Sequence, residues 1–238
     1  MLPKKFFSFK QRIKTYFSKR EKPMGCVFMF HKITDSDSSD EFSISMEHFQ
    51  CFVNYFFDKD SVSSLENIGV NNGKVYLSFD DGDISVVKYA LPFLKTNEIP
   101  FTVFITNSYL DTPGYISTDE LVTLSKYGFC SIGSHTISHP LLRYSKSKKQ
   151  EIVESKLMLE NVLEKSIFLF AYPYGSIYAC DKKSVKIVRA AGFEYAFSTI
   201  QSCFSRNSLS KRFFIPRINV NDSNYLEIMN DIEKKLIQ

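Results

Sequence analysis

The chain has no tryptophan, only four histidines among 238 residues, and no apolar run that approaches the roughly 18 residues a membrane-spanning helix needs. Its five cysteines, at 26, 51, 130, 180 and 203, are odd in number and widely spaced. That excludes a zinc knuckle or a Cys-x-x-Cys redox motif, and the expectation is small buried thiols in a reducing compartment. Residues 1–22 lack the apolar stretch of about 7–15 residues that marks a secretory leader, because Lys or Arg recurs every few positions. As written, the sequence therefore predicts a cytoplasmic protein. Acidic and basic residues are unevenly spread. Residues 1–22 hold eight Lys/Arg against Glu21, or +7, so with +4 overall residues 23–238 sum to −3. An acidic body without a recognition motif argues against nucleic acid as a partner.

What is present is ordinary globular material. Apolar residues make up 44% and charged ones 24%, with 23 Phe and 13 Tyr supplying the bulk that tryptophan does not. The N-terminal arm, residues 1–22, places Phe6, Phe9, Ile13, Tyr16 and Phe17 at helical spacing, with Lys10, Lys14 and Arg20 mostly elsewhere. A basic amphipathic helix of this kind lies in the headgroup region of an anionic membrane, here the inner face. The alternatives are a helix packed by its Phe face on its own domain, and an unstructured arm.

From residue 23 the pattern alternates. Short apolar runs at 26–30, 74–79, 101–105, 129–132, 168–171 and 195–198, and one near Phe214, read as strands. Between them, helical periodicity covers a segment capped by Ser45, a Pro92-kinked segment at 85–96, then 118–126, 146–164, 181–191 and 225–236. Strand–helix alternation with strands of four to six residues predicts parallel βα units. Six or seven units in one chain of this length predict a closed or nearly closed barrel spanning 23–238 as one α/β domain.

In βα barrels the active site gathers at the C-terminal ends of the strands. The polar residues choose that end repeatedly: His31 after the first strand, Asp80 and Asp81 after the second, His135 and His139 after the fourth, Tyr174 after the fifth. His135 and His139, four apart, would share one face of a helical turn and so one metal ion. Two imidazoles and a carboxylate form a common facial set for catalytic zinc, and a second carboxylate beside them suits a general base.

Ser78-Phe79-Asp80-Asp81-Gly82, then Ser134-His135-Thr136-Ile137-Ser138-His139, then Tyr172-Pro173-Tyr174-Gly175, resemble the three motifs of the NodB-like polysaccharide deacetylases, in the family's order. With the flanking elements, the resemblance covers about residues 25–220. It implies a distorted (β/α) barrel of about seven strands and hydrolysis of an N- or O-acetyl group on a carbohydrate. It also implies a divalent metal, zinc first, with cobalt, nickel or manganese as alternatives. By motif position Asp80 would be the general base, Asp81, His135 and His139 the metal ligands, and the Tyr174 N–H an oxyanion donor. Two features depart from the commonest pattern. Ala171 stands where many members carry Arg, and no histidine follows His139, so the usual late general acid is missing. His31, in Phe30-His31-Lys32-Ile33, resembles the Tyr-His start of a subgroup whose acid is an N-terminal histidine; otherwise it is a structural strand-end residue. Arg217, in Ile215-Pro216-Arg217, follows a late strand and is the candidate to orient Asp80, against the alternative of a solvated arginine. His48 reads as surface or packing, and Asp83 as a local cap. Two other functions are open: a non-catalytic metal and glycan-binding scaffold, and a deacylase of a small N-acyl compound. A cytoplasmic location would favour a lipid-linked or nucleotide-linked biosynthetic intermediate as the carbohydrate.

Overall fold

Alternation along the strands sets the architecture. A computed structural model of the protein describes residues 23–237, so the basic arm lies outside the described residues. The chain enters as β1 (Gly25–Phe30), crosses a two-stranded ribbon of β2 (Lys32–Thr34) and β3 (Ser43–Ser45), and turns into α1 (Met46–Phe57). Ser45 caps α1 by accepting from the His48 N–H, and Phe49, Phe52, Val53 and Phe56 form its buried face. Next come β4 (Lys74–Phe79), α2 (Leu91–Thr96), β5 (Phe101–Ile105), α3 (Thr118–Leu124), β6 (Cys130–Ser134), α4 (Lys148–Leu163), β7 (Leu169–Ala171), α5 (Lys182–Ala190) and β8 (Tyr195–Phe197). A short α6 (Arg206–Ser210), a two-residue β9 (Ile218–Asn219) and α7 (Tyr225–Ile232) complete the path.

Seven strands make one parallel sheet in the order β8-β7-β6-β5-β4-β1-β9, curled so that its two edges approach each other. One segment bridges them: Ile215 pairs with Phe197 of β8, and three residues later Ile218 pairs with Phe28 of β1. The result is the distorted barrel with α-helices outside. Along β4, Val75, Leu77 and Phe79 join the large core between sheet and helices, whereas Tyr76 joins the smaller core inside the barrel. Val27, Phe104, Leu169, Phe197 and Ile215 complete much of that inner core. Extending the period of two past each strand end turns His31, Asp80, Thr106 and His135 inward over it. Gly133 of β6 is dictated by the same interior, since a Cβ there would stand 2.4 Å from the Phe104 ring.

Three details differ from the sequence reading. The segment before Pro92 is a wide π-turn, Val86–Ala90, and α2 proper starts only at Leu91, with Pro92 in its first turn where its missing N–H is not needed. The last strand lies at Ile218–Asn219 rather than around Phe214, because Ile215 only bridges. Cys26 and Cys203 are joined in a disulfide, where all five cysteines were expected as thiols. Residues 177 apart in sequence meet because Gly25 and Phe204 pair antiparallel beside them, a contact that local spacing does not encode.

Candidate active site

At the mouth of the barrel one ligand atom each from Asp81, His135 and His139 lies within 4.8 Å of the others. Asp81 follows β4 with a left-handed φ of 68°, which turns its side chain across the rim beside the inward Asp80. His135 leaves β6 directly, and its Nδ1 lies 2.8 Å from the Ala171 carbonyl. A carbonyl only accepts, so Nδ1 carries the proton and Nε2 presents its lone pair to the two carboxylates, 3.8 Å from Asp80 and 3.7 Å from Asp81. His139 Nε2 lies 3.5 Å from the same Asp81 oxygen.

The two histidines do not share a helical turn. Residues 135–139 form an irregular loop, with Thr136 and His139 both at positive φ, 72° and 56°. The loop folds back and brings the rings to 4.9 Å between centroids. The convergence expected of a helix is therefore made by a strand end and a turn.

Electrostatics separate the neighbouring carboxylates. Burial alone would raise Asp80, but the Arg217 guanidinium, and then His135, hold it far below the usual carboxylate range. Arg217 is fully buried and grips Asp80 bidentately, both contacts at 2.7 Å. It also donates to the Ser198 carbonyl and Ser78 Oγ and lies over the Phe104 ring. Asp81 has no such partner, and burial followed by the negative charge of Asp80 pushes it up to about 6. Desolvation lowers both ligand-side imidazoles, His135 to about 3, so they stand as neutral lone-pair donors. Neutral imidazoles and a carboxylate that lacks a cation are the donor set of a borderline divalent metal such as zinc.

His31 sits at the end of β1, close enough that Asp80 and Asp81 oppose the depression that burial imposes on its pKa. Its buried Nδ1 has no hydrogen-bond partner among the described residues, and Phe42 meets its ring edge-on at 5.0 Å. Tyr174, also left-handed at φ 58°, lays its half-exposed ring 4.7 Å from that of His139. No described residue accepts from the Tyr174 N–H. Gly175 is obligatory beside it, since φ is +37° and a Cβ would stand 2.5 Å from the Thr199 backbone nitrogen. His48 stays away from this site, stacked on Tyr225 and bonded to Asp222, and Asp83 accepts from the Ser85 N–H as a local cap. The Ala171 carbonyl that sets the His135 tautomer is a contact the sequence reading missed, because a backbone acceptor leaves no side-chain signature.

The sequence profile of polysaccharide deacetylases matches residues 68–196, more than half of the chain. The chain belongs to this family. Among curated proteins, a poly-β-1,6-N-acetyl-D-glucosamine N-deacetylase of Staphylococcus aureus is 29% identical over 165 residues, covering 62% of this chain and 54% of the relative. A Staphylococcus epidermidis protein of the same name is 26% identical over 172 residues. The chain thus spans about half the length of the curated relatives it matches. Among solved structures, a polysaccharide deacetylase of Bacillus cereus superposes with a TM-score of 0.78 at 21% identity, over 89% of this chain and 69% of its own. IcaB of Ammonifex degensii gives 0.76 at 20% identity, over 90% and 98%. These likenesses establish the shared fold.

Proposed function

We propose that this family member is a metal-dependent deacetylase that removes N-acetyl groups, in preference to O-acetyl groups, from a carbohydrate. One observation carries the reading. Three donor atoms within 4.8 Å lie at the barrel mouth beside a carboxylate that arginine keeps ionised. Asp81, His135 and His139 would hold the ion, zinc first by donor set. When bound, such an ion polarises the acyl carbonyl and lowers the pKa of water towards about 7.

The chain's own groups supply the rest. Asp80 takes the proton of the attacking water; Arg217 lowers its basicity but fixes its orientation and charge. The Tyr174 N–H receives the developing oxyanion, a contribution of roughly 3–4 kcal/mol in comparable sites. As the carbon–nitrogen bond breaks, His31 in its protonated form gives a proton to the departing amine and is recharged by the proton that Asp80 took from water, so that acetate and a free amino sugar result. Aromatic rings flank this centre on both sides: Phe42 against His31, and Tyr109 and Tyr174 near His139. Flat apolar walls around a polar centre suit the faces of pyranose rings. The names of the relatives make a β-1,6-linked N-acetylglucosamine polymer the first substrate to try, ahead of lipid-linked or nucleotide-linked sugars. The Cys26–Cys203 bond supports an oxidising compartment for such an enzyme, in place of the cytoplasm suggested by the N-terminal composition.

Acetate release from N-acetylated β-1,6-glucosamine oligosaccharides, measured with and without chelator, tests this reading. Release should need metal, disappear in Asp80→Asn, and fall about 10²–10⁴-fold in His31→Gln with metal retained. Metal bound without release from any N-acetylated sugar would refute the activity. Failure to bind metal would refute the site.

A further inference from the structure

Helix α4 turns polar side chains toward three rim loops at once. Lys148, Glu151 and Ser155 are buried at helical spacing on one face of it. Ser155 Oγ bonds Ser134 Oγ at 2.7 Å, and the Ser155 carbonyl accepts from Asn107, the residue two past β5. Lys148 reaches Asp181, beyond the third motif, and the Arg143 carbonyl, between the second motif and α4. Glu151 stands at the centre. Its Oε2 accepts from the N–H groups of Ile137 and Ser138, both at 3.0 Å, and its Oε1 from Ser138 Oγ at 2.7 Å.

Those three bonds fall on the loop between the two site histidines. The opposite edge of the same loop is held as well: the Thr136 and Ile137 carbonyls accept from the Asn107 and Ser108 N–H groups. The ends of the loop are the two strained positions, Thr136 at φ 72° and His139 at φ 56°. A non-glycine residue in this region costs about 1–3 kcal/mol, most for a β-branched one, and persists only where the surroundings over-determine it. His139 needs that support more than His135 does. The Ala171 carbonyl pins the His135 ring, whereas no other described residue hydrogen-bonds the His139 ring; the His139 backbone N–H bonds Thr136 Oγ1. Where His139 stands therefore depends on where its backbone is held.

We propose that Glu151 is a positioning residue for the metal site: its carboxylate locks the 136–139 loop and so sets how tightly Asp81, His135 and His139 hold their ion. The proposal rests on the metal site described above. Outer-shell partners of this kind are worth about 10–100-fold in metal affinity.

The test is zinc affinity of the full chain, by competition with a chromophoric chelator, beside thermal unfolding of the metal-free protein. Glu151→Ala should weaken zinc about 10–100-fold. Glu151→Gln should rescue most of the loss, because an amide oxygen can accept both N–H groups while its NH2 donates to Ser138 Oγ. If Glu151→Ala does not fold, Glu151→Asp takes its place: it keeps the charge, but its side chain is one methylene too short to reach the loop. Wild-type zinc affinity in the folded variant, with only the unfolding temperature lowered, would overturn the proposal and leave Glu151 a fold residue. His139→Ala is measured alongside. If it too binds zinc as the wild type does, the three-residue site is itself wrong; if it alone loses zinc, only the role of Glu151 falls.

Discussion

Arg217 and Asp80 form a fully desolvated, bidentate ion pair, and such a pair is worth far more intact than halved. Arg217→Ala leaves a buried carboxylate without a counter-charge and should destabilise the protein by about 3–5 kcal/mol. Arg217→Lys keeps the charge but loses the planar fork. The lysine variant should therefore fold yet release acetate about 10–100-fold more slowly, by analogy with other small misplacements of catalytic groups. Thermal unfolding beside acetate release separates the two effects; a lysine variant as fast as wild type would show that orientation of Asp80 is unimportant. The pair also sets an acid limit. Asp80 titrates lower in the folded chain than the unperturbed value near 4. Its contribution is thus complete above about pH 4 and declines as the pH falls further.

Single strands and turns decide whether these side chains meet. Gly175→Ala would press a methyl group against the Thr199 backbone, which cannot swing aside as a side chain can. The turn would have to move and take the Tyr174 N–H with it. The expected loss is about 1–3 kcal/mol of stability together with a fall in kcat, read by unfolding and kinetics; a fall in neither would mean the turn yields freely. Elements of this size are also where the sequence was most and least informative. The strand ends were legible because each short apolar run stops at a polar residue, and the C-terminal ends of the strands in a βα barrel share one rim, here that of His31, Asp80 and His135. The loop at 135–139 was misread as a helical turn, since four-residue spacing is all that sequence displays and the tertiary bonds to Glu151, Asn107 and Ser108 override it. Arg217 was singled out as the stand-in for the motif arginine that Ala171 replaces, from its place after a late strand. Glu151 was invisible, because a glutamate inside a long charged helix looks solvated until the loop it grips is known.

For the whole molecule, the closing segment and the disulfide tie together parts far apart in the chain. Cys26–Cys203 encloses a loop of 177 residues, for which the chain-entropy model gives about 5 kcal/mol and measured removals about 2–5. Cys203→Ser, or reductant on the wild type, should therefore lower the unfolding midpoint by about 5–15 °C for a domain of this size. If neither shifts it, the bond adds nothing, and the argument for an oxidising compartment loses its support. Arg217 emerges during synthesis 137 residues after Asp80, on the segment that joins the two edges of the sheet. A nascent chain thus displays Asp80, Asp81, His135 and His139 long before it holds the counter-ion that keeps Asp80 charged and aimed. On the proposed mechanism, competence would arrive only with the last strand, so a truncated or half-synthesised molecule would carry every motif of the family and still lack the proposed base in its working state.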